Sequence, residues 1–83
     1  MTKLTVAALQ LAFTDDTVAN IKAVADLVRE AHSKGAEVVL PPELFEGPYF
    51  CRVEDETLFA NARPTAEHPS VLAMQELAAE LRI

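Results

Sequence analysis

An apolar run, LTVAALQLAF, is followed by a long segment of helical periodicity, a glycine and a second apolar run, AEVVL, and this order leaves few folds open. Leu4 to Phe13 carries Val6, Leu9 and Leu11 with little polar interruption, the pattern of a central strand covered on both faces. The next residues, TDDT, supply side-chain oxygens for a helix N-terminus, so a helix is expected to begin near Asp16. Val18, Ile21, Ala25, Val28 and His32 then recur at helical spacing, widened by Val24 and Leu27, while Lys22, Asp26, Arg29 and Glu30 face outward. The segment SKGAE ends that helix, with Gly35 free to take the left-handed cap conformation. Strand, helix and strand make a βαβ unit, which predicts two parallel, neighbouring strands joined by a right-handed crossover.

Beyond Pro41 the pattern is irregular. A helical turn or two is expected around Asp55 to Ala62, a loop over RPTAEHPS, and a last helix from Pro69 to Arg82 with Val71, Met74, Leu77, Ala78 and Leu81 on one face. The fold class is therefore α/β. Two strands and two main helices cannot cover both faces of a sheet, so the 83 residues are expected to be part of a larger domain. A hydrophobic content of 51% is high for so short a chain and predicts apolar surface left uncovered.

Thirteen acidic against seven basic residues give a formal charge of -6, which disfavours binding to nucleic acid or anionic membrane. A single cysteine, Cys51, excludes an internal disulfide and a thiolate metal cluster, and fits a reducing compartment, with the cytoplasm as the expected location. The acidic TDD after the first apolar run stands where a signal-peptide cleavage site would require small residues, so the run reads as a strand.

The chemistry concentrates in LPPELFEGPYFC. Pro41 and Pro42 end the strand ladder and stiffen the backbone, and they deliver Glu43 to the region past the carboxyl end of a parallel strand, where α/β proteins bind ligands. Leu44, Phe45, Pro48, Tyr49 and Phe50 surround this acid in sequence. Apolar neighbours that exclude water favour the protonated carboxyl, the condition for a general base that accepts and returns a proton. The plain alternative is a solvated loop glutamate.

The strand LTVAALQLAF, the helix with AN near its start and LVREAHSKGAEVVL through its end, and above all ELFEGPYFC with HPSVLAMQELAAEL resemble the N-terminal portion of the nitrilase, or carbon-nitrogen hydrolase, superfamily, and the likeness runs through essentially the whole chain. The resemblance implies an αββα sandwich of which residues 1–83 form the N-terminal part of a single domain, commonly a homo-oligomer, with neither metal nor organic cofactor. It implies hydrolysis of a small-molecule linear carbamoyl amine by a Glu-Lys-Cys triad in which Glu43 matches the glutamate. The lysine and the nucleophilic cysteine of that pattern lie downstream of the segments seen here. Cys51 matches a cysteine within the glutamate motif rather than the nucleophile. Tyr49 is expected to contact substrate, with a core aromatic as the alternative, and Glu46 could attract the far ammonium of a diamine, with a solvated or capping acid as the alternative.

His32 and His68 are expected to be structural, because their spacing does not suit a shared metal. The EDE of Glu54 to Glu56 lacks EF-hand spacing and reads as solvated. The rival to the enzyme reading is a truncated or split, non-catalytic piece whose apolar faces await a partner.

Overall fold

A computed structural model describes residues 3–47 and 55–83. Its elements run β1 (Val6–Ala8), α1 (Thr17–Ser33), β2 (Val38–Leu40), two short 3-10 segments (Glu56–Asn61 and Thr65–Glu67) and α2 (Pro69–Leu81). The strands are parallel and adjacent, with Val6 opposite Val38, Ala7 opposite Val39 and Ala8 opposite Leu40. This is the expected βαβ unit, a small α/β arrangement consistent with part of a nitrilase-like fold.

The first strand is shorter than its apolar run. Thr5 accepts from the Glu37 N–H and Leu9 donates to the Leu40 carbonyl, both at 2.9 Å, and the ladder goes no further. Beyond Leu40 the partner strand becomes Pro41 and Pro42, which have no N–H to offer. Burial also differs from the expectation of a strand covered on both faces. Ala7, Leu9, Leu11 and Phe13 turn inward, whereas Val6 (64% exposed) and Leu40 (67% exposed) lie on an open face.

Helix α1 begins where its capping oxygens predict: Asp16 is extended and its Oδ1 accepts from the Ala19 N–H at 3.1 Å. It ends in a Schellman turn, with Gly35 at φ +96° donating to the His32 carbonyl and Ala36 donating to the Ala31 carbonyl. The buried stripe is Asn20, Val24 and Val28, with Val18 left 78% exposed at the helix start, so the inward face is rotated from the one the periodicity suggests.

Helix α2 starts at Pro69, whose missing N–H costs nothing at that position, and closes on Arg82 in the left-handed conformation at φ +58°. Leu77 is buried between the helices, and Met74, Leu81 and Ile83 pack around it with Val24 and Val28. Burying Leu77 contributes about 2 kcal/mol, and it docks α2 against α1, where Arg29 and Glu80 also pair across the surface.

Candidate functional site

Glu43 occupies the turn that follows β2, three residues beyond Leu40. The turn is sharp: Leu44 takes φ +54°, a left-handed conformation that costs a residue with a Cβ about 1–2 kcal/mol. Phe45 is one of the partly buried residues packed against the core, while Glu43 and Leu44 are exposed. Glu43 is exposed among the described residues, and of the five residues expected to enclose it only Leu44 and Phe45 are described. Leu44 is exposed beside it, and Phe45 packs against the core cluster. Pro48, Tyr49, Phe50, Cys51 and Glu54 lie outside the described residues.

The far side of the turn is tied down. Asn20, only 3% exposed, donates from Nδ2 to the Glu46 carbonyl at 3.0 Å and to the Thr14 carbonyl at 2.7 Å. Its Oδ1 accepts from the Thr14 N–H at 2.9 Å and the Thr14 hydroxyl at 3.3 Å. The amide thus meets two donors and two acceptors, which makes its burial tolerable.

Glu46 is half-buried, with Oε2 lying 3.1 Å from His68 Nε2. The other ring nitrogen, Nδ1, accepts from the Ser70 N–H at 3.2 Å and so caps α2. This places the proton of the neutral ring on Nε2, the nitrogen that faces the carboxylate. The expectation of a structural role for His68 agrees with this capping. His32 sits half-buried near the end of α1, and its Nδ1 has no hydrogen-bond partner among the described residues.

Leu44, Phe45, Glu46, His68, Ser70 and Val71 line a shallow cleft of about 190 Å³, and the buried Ser70 hydroxyl has no hydrogen-bond partner among the described residues. Neither Asn20 nor the Glu46–His68 pair is read from sequence as part of the site. Both depend on residues distant in the chain, and Asn20 engages a carbonyl, which any amino acid at position 46 would supply.

A parallel βαβ unit with an acid delivered past the carboxyl end of β2 is the arrangement expected of this superfamily, and the carbon-nitrogen hydrolase family model matches residues 5–83. The chain belongs to the carbon-nitrogen hydrolase family. Among curated relatives it is similar to N-carbamoylputrescine amidase of Solanum tuberosum, 50% identical over 80 residues, which is 96% of this chain and 27% of the relative. The corresponding protein of Arabidopsis thaliana is 47% identical over 81 residues, 98% of this chain and 27% of the relative. A citrullinase of Francisella tularensis is 31% identical over 83 residues, 100% of this chain and 29% of the relative. The chain thus spans somewhat over a quarter of the length of these relatives.

Proposed function

We propose that this chain supplies the general base of an amidohydrolase that cleaves the carbamoyl C–N bond of N-carbamoylputrescine or a closely related linear carbamoyl amine. The observation that carries the reading is Glu43 itself, held three residues past the end of a parallel strand in a chain 50% identical to an N-carbamoylputrescine amidase. In the triad chemistry of the superfamily the glutamate takes the proton of a cysteine thiol, and the thiolate attacks the carbamoyl carbon. A lysine stabilises the oxyanion, and collapse expels the amine, which leaves protonated. Water, deprotonated by the same glutamate, then releases the carbamoyl group, which breaks down to carbon dioxide and ammonia. The lysine and the thiol belong to the complete enzyme, outside the described segment.

Tyr49 and Glu46 are the proposed substrate contacts. A carboxylate accepts more than one donor, so the engagement of Glu46 with His68 leaves it able to attract an ammonium at the far end of the substrate. The setting we propose is polyamine synthesis in the cytoplasm, by a homo-oligomer of single-domain subunits whose N-terminal part is residues 1–83.

The test is Glu43→Gln in the complete enzyme that contains this chain, assayed on N-carbamoylputrescine. Loss of a general base should lower kcat about 10²–10⁴-fold with the melting temperature unchanged, and near-normal kcat would refute the assignment. The second reading, a non-catalytic assembly piece, draws on the open sheet face at Val6 and Leu40. It predicts that the 83-residue polypeptide binds a partner and hydrolyses nothing.

A further inference from the structure

We infer that Asn20 is a positioning residue for Glu43, acting together with the His68–Glu46 pair; the inference rests on the reading of Glu43 as the base. Glu43 lies on the short span between Leu40, paired in the sheet, and Glu46. The sheet end is stiffened by Pro41 and Pro42. The other end is fixed twice, through the Glu46 carbonyl by Asn20 of α1 and through the Glu46 carboxylate by His68 at the start of α2. These two attachments come from residues 26 positions before and 22 positions after Glu46, so they lock the turn to both helices.

The left-handed Leu44 shows why such fixing is needed. Its backbone strain would be released by letting the turn relax, and relaxation would carry Glu43, one residue earlier, with it. An apolar side chain at position 20 could fill the same space without the desolvation penalty of an amide. What the amide adds is direction. Its Nδ2 meets two carbonyls and its Oδ1 meets an N–H and a hydroxyl, so turning it over would set oxygen against oxygen and the orientation is unique. Asn20 thereby sets the β1–α1 connection, at Thr14, and the Glu43 turn in one fixed relation. A base must come within hydrogen-bond reach of its proton, and a displacement of about 1 Å costs about 10²-fold in rate.

The test compares three variants of the complete enzyme with the unaltered protein on N-carbamoylputrescine, recording kcat, KM and melting temperature. Asn20→Asp keeps the acceptor toward Thr14 but sets a carboxylate oxygen against the Thr14 and Glu46 carbonyls. His68→Asn keeps a good helix cap, because asparagine accepts from the same N–H, but is too short to reach Glu46. Both are expected to lower kcat of the folded enzyme about 10-fold or more; KM should stay within about 2-fold for Asn20→Asp, whereas His68→Asn also alters the setting of Glu46, a proposed substrate contact, and its KM is free to move. His68→Asn should lower kcat at an unchanged melting temperature. If Asn20→Asp does not fold, His68→Asn decides alone. Folded variants with unaltered kcat, or with an effect confined to KM, would overturn the positioning role while leaving Glu43 as the base. Full activity in Glu43→Gln would remove the base assignment and this inference with it.

Discussion

Asp55 sits at the start of the first 3-10 segment and accepts twice from Thr57, at 2.6 Å from the hydroxyl and 3.0 Å from the N–H. These bonds, the hydroxyl first and the backbone second, hold the Asp55 carboxyl below its ordinary value of 3.8. Because the folded group gives up its proton more readily than the unfolded one, the local turn gains support at any pH above 3.8 and loses it as the pH falls through the lower, folded value. A carbon-detected NMR titration should place the Asp55 midpoint below 3.8, and Thr57→Val should move it back upward. At this scale sequence is an uneven guide. The place of Glu43 is legible because prolines and a strand end mark it, but its surroundings are not, since the inward turn of Phe45 depends on a core built from both helices. Asn20 belongs to the AN that carries part of the family resemblance, but only the tertiary fold brings the Glu46 carbonyl to it.

Helix α1 shows local chemistry and observed structure in close agreement. The Asp16 cap, the 17-residue span and the Gly35 turn all follow from short-range rules, and each is present. Gly35→Ala would meet no neighbouring atom, but it would place a Cβ on a backbone at φ +96°, so unfolding titrations should show a loss of about 1 kcal/mol. The strands agree less well. A strand exists only as far as its partner can bond, and the apolar run from Leu9 onward continues past the point where Pro41 withdraws the partner's donors. The extent of α2 is legible, Pro69–Leu81 with Arg82 as its cap against the expected Pro69 to Arg82, but the form of its closure is not, since an arginine carries no mark of the left-handed conformation that Arg82 adopts.

At the scale of the whole molecule, both helices lie over one side of a two-stranded sheet, with Val24, Val28 and Leu77 at the centre. The opposite side presents Val6, Val38 and Leu40 to solvent, the uncovered apolar surface expected from composition. Val6→Thr combined with Val38→Thr should reduce self-association of the 83-residue polypeptide in sedimentation experiments. The same pair should change its unfolding free energy by less than about 1 kcal/mol, because neither side chain contributes to the central cluster. The topology was readable because strand, helix, glycine and strand admit essentially one handed arrangement. The rotation of α1 that buries Asn20 was not, because helical spacing names a stripe without saying where the neighbouring layer will press on it.

The grip of Asn20 on a peptide oxygen has an evolutionary corollary. For this one contact position 46 has only to offer its peptide carbonyl, its carboxylate being the part that meets His68, whereas one residue gained or lost between Glu43 and Glu46 would present the wrong rung of the backbone. Besides its two carboxylates, this stretch has its length to preserve.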